Sequence, residues 1–141
     1  MHWLKHLLLI KFINGRSSVF LKWLWLFFLI VLGFLSLNPW LRPASSEAIG
    51  FITWDLLDHA AAYSLLSVLM MLAFRQHGRP LMMASIVIPA ASLIGILLEY
   101  CQYWFTVSRQ FSFFDAAANV CGAVLGVILF WGLRIYRKRS V

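Results

Sequence analysis

Polar residues punctuate this chain more than they alternate with apolar ones. Four stretches dominated by apolar side chains stand out: Val19 to Leu37, Leu56 to Phe74, Leu81 to Leu98 and Asp115 to Leu133. Each approaches the roughly 20 residues a helix needs to cross about 30 Å of hydrocarbon. The breaks carry helix-ending chemistry. "NPW" closes the first stretch, and "RQHGRP" joins the second to the third, with Gly78 to turn and Pro80 to open the next helix. Pro89 lies within the third stretch and predicts a kink. The second is uninterrupted only from Ala60, so it spans only if its helix begins near Asp55, with Asp58 and His59 in the first turn.

Two flanking segments complete the pattern. "WLKHLLLIKF", within residues 1–18, is too short and too interrupted to span; it predicts an interfacial amphipathic helix with Lys5 and Lys11 at the headgroups. The first span is expected to stay uncleaved, because "LRPASSEA" is only loosely a cleavage pattern and further apolar runs follow. "YCQYWFTVSRQFSFF", between the third and fourth spans, is too aromatic for a free aqueous loop. It predicts a re-entrant or interfacial segment with Tyr103, Trp104 and Phe105 at headgroup depth. The expected fold is an all-α integral membrane bundle of four transmembrane helices. Residues 1–18 form an N-terminal segment, 19–133 the membrane domain and 134–141 a basic tail.

Composition removes the soluble alternative. Apolar residues make up 62% of the 141 positions and charged ones 12%, more oil than a soluble domain of this size can cover. The net charge of +7 would suggest nucleic acid in a soluble protein. Here the bases flank apolar runs, and no recognition helix, zinc-finger spacing or aromatic RNA motif accompanies them, so no nucleic-acid partner is expected. Their distribution instead orients the chain. With four spans, Lys5, Lys11, Arg16, Lys22, Arg75, Arg79, Arg134, Arg137, Lys138 and Arg139 fall on one side, and Arg42 and Arg109 on the other. All five acids join that second side, which places both termini in the cytoplasm. Cys101 and Cys121 read as small apolar residues in helices.

Ionisable groups at membrane depth are costly and call for a partner or a task. Helical spacing aligns Asp55, Asp58, His59 and Tyr63 on one stripe of the second span. Glu99 and Gln102 share a face at the end of the third, and Asp115, Asn119, Gly122 and Gly126 form a stripe on the fourth that turns from polar to small. All lie toward the same outer end, which predicts a polar pocket open to the outside, with Arg109 on the aromatic loop able to reach its mouth. Gly122 and Gly126 form a small-xxx-small pair, and Gly95 stands one turn before Glu99; helix packing is the expected role of all three.

Taken in order, these residues resemble the VanZ-like family of small bacterial membrane proteins. "DLLDHAAAY", Asp55 to Tyr63, matches a block with the signature Asp-Lys-x-x-His. Glu99, Gln102, Arg109, Asp115, Asn119, Gly122 and Gly126 match a second block, Glu-x-x-Gln, a loop Arg, then Asp-x-x-x-Asn-x-x-Gly-x-x-x-Gly. The match covers Trp54 to Phe130. Leu56 stands where the family has its lysine, which removes a cation from the pocket mouth, and Asp58 is not part of the signature. The resemblance implies a bundle of about four helices in the bacterial cytoplasmic membrane and an association with the cell envelope. The family's namesake is linked to resistance to the glycopeptide teicoplanin; no settled reaction comes with the family.

Three functional readings follow. In the first, the pocket formed by Asp55, His59, Tyr63, Glu99, Gln102, Arg109, Asp115 and Asn119 binds or modulates a lipid-linked cell-wall precursor or an amphiphilic glycopeptide. In the second, the chain is a hydrolase or transferase acting on a lipid headgroup, with His59, Glu99 and Asp115 as acid–base groups and Arg109 holding a phosphate or carboxylate. In the third, the polar groups are structural, Asp115 and Asp55 or Asp58 serving helix starts and Asn119 and Gln102 joining helices. Asp55, Asp58, His59, Glu99 and Asp115 offer O and N donors for a divalent ion, but their spacing matches no recognised motif. No metal or cofactor is expected, and oligomeric state is open.

Overall fold

A computed structural model describes residues 2–38, 48–49, 52–74, 79–105 and 111–139. Four helices account for nearly all of it: α1 (His2–Leu37), α2 (Trp54–Phe74), α3 (Pro80–Phe105) and α4 (Phe113–Arg139). Each contains a segment long and apolar enough to cross a membrane, Ser18–Leu37, Trp54–Phe74, Pro80–Phe105 and Phe113–Tyr136. The chain is an all-α bundle of the multi-pass membrane kind. A membrane solvates no backbone amide, so four closed helical ladders are the expected solution for such a sequence.

The boundaries refine the expectation. The N-terminal segment expected at the interface is helical, and it runs without a break into the first span as part of the 36-residue α1. Two-residue strands β1 (Ala48–Ile49) and β2 (Ile52–Thr53) pair antiparallel, Ala48 with Thr53 and Ile49 with Ile52, immediately before α2. Helix α3 continues past the expected end at Leu98 to Phe105, so Glu99 and Gln102 lie on it as their spacing required, and Tyr100 to Phe105, the start of the expected aromatic loop, belong to its last turns. At 26 residues, or about 39 Å at 1.5 Å per residue, α3 exceeds the hydrocarbon thickness and must tilt or project. Pro89 lies inside it on an exposed face. Residues 106–110, the middle of the aromatic segment, lie outside the described residues, as do 39–47 and 75–78, where the sequence predicts a turn.

Contacts at both ends of α1 fix the alternation of the helices. Trp25 meets Phe74, the last residue of α2, edge to face at 5.6 Å, and the Lys22 ammonium lies 5.9 Å from the same ring. At its far end, Ser36 of α1 accepts a hydrogen bond from Gln102 near the end of α3. α1 is therefore antiparallel to α2 and parallel to α3. α2 and α4 run parallel to one another and form the closest pair in the bundle.

Glycine makes that closeness possible. A Cβ on Gly122 would stand 2.3 Å from the carbonyl oxygen of Ala60, and one on Gly126 would stand 2.2 Å from that of Ser64. Both distances lie far inside van der Waals contact, so only Gly admits the two backbones at this separation. Below this seam, Met71, Met83, Ala84, Val87, Val127 and Phe130 pack as one apolar cluster; Leu32, Tyr63, Leu66, Ala91 and Ala123 form a second at mid-height. The large exposed side chains, among them Phe20, Trp23, Phe27, Leu93, Leu97, Ile128 and Leu129, face outward as a lipid-solvated surface requires.

Candidate functional site

The polar stripes of α2, α3 and α4 meet around one imidazole. His59 is buried at 4% exposure, and its Nδ1 lies 2.9 Å from Asn119 Oδ1 and 3.6 Å from Glu99 Oε1. Its Nε2 lies 3.9 Å from Asp55 Oδ1. Glu99 is 2% exposed and Asn119 0%, which makes them two of the most deeply enclosed side chains in the molecule. A ring nitrogen of His59 and carboxylate oxygens of Asp55 and Asp115 all fall within 4.8 Å of one another. Three helices thus contribute to a single cluster, at the end of the bundle where α2 and α4 begin.

The neighbours of Nδ1 favour one tautomer. An amide oxygen can only accept, and a carboxylate is the second neighbour on the same side of the ring, so Nδ1 carries a proton and donates it to Asn119 Oδ1. Nε2 is turned toward Asp55 and is the nitrogen that would be basic whenever the ring is neutral. Asp55 and Asp115 are half-buried, the Asp55 side chain at 37% exposure, so the cluster grades from a dry interior at Asn119 and Glu99 to a wetter rim. Such a gradient suits a polar or cationic ligand that enters from the rim, past the carboxylates of Asp55 and Asp115, and meets the imidazole last.

Local sequence explains why the acids stand ready for this. Thr53 caps α2, its Oγ1 accepting from the Leu56 amide at 3.3 Å. Ser112 caps α4, its Oγ accepting from the Asp115 amide at 3.2 Å. Hydroxyls, not carboxylates, therefore hold the caps, while Asp55 and Asp115 lie in the first turns, where the helix dipole favours a negative charge.

Other expected site residues fall at different depths. Tyr63 is buried one turn below His59 in the mid-height apolar cluster. Gln102, 2% exposed, donates through Nε2 to Ser36 Oγ and so ties α3 to α1. Gly95 faces Asn119: a Cβ there would meet Asn119 Cβ at 2.8 Å and Nδ2 at 2.9 Å, so the glycine makes room for the amide. Asn119 Nδ2 has no hydrogen-bond partner among the described residues, as is true of the buried Ser67 Oγ and Ser92 Oγ. Asp58 is exposed and outside the cluster. Arg109 lies outside the described residues. Ser36, Thr53 and Ser112 were not singled out by the sequence. A cap signal, a hydroxyl residue just before each apolar run, is present for the last two; Ser36 inside an apolar run carries none.

Compared with known protein families, characterised proteins and solved structures, the chain finds no significant match.

Proposed function

We propose that this chain is a VanZ-like protein of the bacterial cytoplasmic membrane whose polar cluster binds a lipid-linked cell-envelope molecule and thereby alters tolerance to glycopeptides such as teicoplanin. The bases flanking the spans support cytoplasmic termini, and on that orientation the Asp55–Asp115 end opens outward, where lipid-linked precursors are displayed. One observation carries the reading: His59, Glu99 and Asn119, from three different helices, are buried against one another at the end of an otherwise apolar bundle. A bundle that needed only to pack would fill this position more cheaply with apolar side chains, since burying charged groups costs several kcal/mol per ion before pairing. The half-buried rim at Asp55 and Asp115 supports access from the surface.

The test separates function from folding. His59→Asn, Glu99→Gln and Arg109→Gln are expressed in a host with a measurable glycopeptide tolerance, and membrane abundance is quantified alongside. Normal abundance with lost tolerance is the expected result. Parallel loss of abundance in all three assigns the cluster to packing instead.

The His59 geometry also favours a second reading, an enzyme acting on a lipid headgroup. An imidazole held at Nδ1 by Asn119, with Nε2 turned to the accessible side, has the arrangement of a general base. Extracted envelope lipids distinguish the two: only an enzyme changes their masses between the active chain and His59→Asn.

A further inference from the structure

From the juxtaposition of Asp55, His59 and Asp115 we infer a binding site for a divalent first-row transition ion. The ion would be held by His59 Nε2 and one carboxylate oxygen from each aspartate. The donors come from two helices, so no sequence-local motif announces them. The parallel seam brings the first turns of α2 and α4 side by side, and that places a ring nitrogen of His59 and one oxygen of each carboxylate within 4.8 Å of one another; Nε2 is the nitrogen that faces Asp55, at 3.9 Å. Donors bound to one ion at about 2.1 Å stand about 3–4 Å apart. Small rotations of the two half-buried carboxylates therefore close the group onto a metal.

A second observation lies outside the ligand set. The far side of the imidazole is fixed by Asn119, fully buried on α4, whose Oδ1 accepts from Nδ1 at 2.9 Å, with Glu99 Oε1 behind it at 3.6 Å. Metal-bound imidazoles are oriented in this way: an amide, carbonyl or carboxylate takes the Nδ1 proton, which sets the tautomer and raises the basicity of Nε2. Burial restricts His59 to this one orientation. One imidazole and two carboxylates suit Mn2+, Fe2+ or Zn2+ better than Mg2+, which prefers oxygen alone and keeps its waters. The partial exposure of Asp55 leaves a side from which water or a phosphate oxygen completes the coordination. The inference stands apart from the lipid reading, because ion binding is read with no lipid ligand present.

The experiment uses the full chain in detergent, freed of metal by a chelator and titrated with MnCl2. His2, His6 and His77 are first replaced by Gln, leaving His59 as the one imidazole of the four in the sequence. The expected result is one saturable Mn2+ equivalent whose pulsed electron paramagnetic resonance shows coupling to an imidazole nitrogen. Asp115→Asn weakens binding at least tenfold, Asn119→Ala weakens it by about tenfold or more through loss of the positioning bond, and Asp58→Asn leaves it unchanged. Absence of saturable binding overturns the site, as does bound Mn2+ without nitrogen coupling or with an affinity indifferent to Asp115→Asn. If Asp115→Asn does not stay monodisperse, the nitrogen coupling of the His59-only chain decides alone.

Discussion

The two halves of the α2–α4 seam use the same device, close approach of parallel helices, for opposite ends. In the deeper half the backbones nearly touch: Gly122 lies against the Ala60 carbonyl and Gly126 against that of Ser64, with the small Ser67 side chain beside it. In the half where the helices begin, the facing positions hold Asp55, His59, Asp115 and Asn119, and polar side chains fill the space. Dispersion and close packing hold the first half without desolvating any charge. The second buries polar groups that apolar residues would replace at no loss of stability. The glycine half is therefore expected to carry the fold, and the polar half the function.

Filling the glycine half is expected to have the largest effect. Gly122→Ala and Gly126→Ala each drive a methyl into a backbone carbonyl, which cannot rotate away as a side chain would. Overpacking of this kind costs about 1–3 kcal/mol per site, and the double variant should lose the folded bundle. Thermal unfolding in detergent and membrane abundance both report it. Asn119→Leu comes next. It takes the amide acceptor from His59 Nδ1, at about 0.5–1.5 kcal/mol for a lost buried hydrogen bond. A shift of the His59 tautomer, read by 15N NMR of the ring, should accompany the loss.

Gly95→Ala sharpens the comparison, because it disturbs the polar half of the seam without touching the glycine half. Its methyl meets Asn119 at 2.8–3.0 Å, so the amide must move, and the tautomer signature should change while unfolding shifts by only about 1 kcal/mol. Gln102→Leu removes the Ser36 bond between α3 and α1, worth about 0.6 kcal/mol for an interhelical hydrogen bond in a membrane. The smallest effect belongs to Gly33→Ala and Gly132→Ala. Among the described residues nothing beyond its own helix turn lies within 4 Å of either new methyl, so stability should hold or rise slightly with the better helix former. If these two destabilise as much as Gly122→Ala, the glycine half owes nothing to close approach.

The sequence revealed the spans and the polar stripes for one physical reason. Hydrocarbon tolerates few polar groups, so each departure from apolar composition is visible, and helical spacing of Asp55 with His59, or Asp115 with Asn119, places both on one face. Which stripe meets which was less legible. The rotation of each helix about its axis is set by fit, here by Gly122, Gly126 and Gly95, and a glycine looks the same whether it faces a helix or lipid. The end of α3 was hidden because "YCQYWF" has aromatic residues suited equally to an interfacial loop and to a helix end at the headgroups. Ser36 gave no signal because a single hydroxyl in a span can bond within its own helix.

Glu99→Gln tests the division of labour most directly, since it removes a buried ionisable group while keeping nearly the same shape. Its thermal midpoint in detergent is measured beside that of Gly122→Ala, together with glycopeptide tolerance of the host. The account predicts a midpoint close to that of the unaltered chain with tolerance lost, while Gly122→Ala unfolds early. A midpoint for Glu99→Gln as low as that of Gly122→Ala would contradict it, making the polar half another part of the packing.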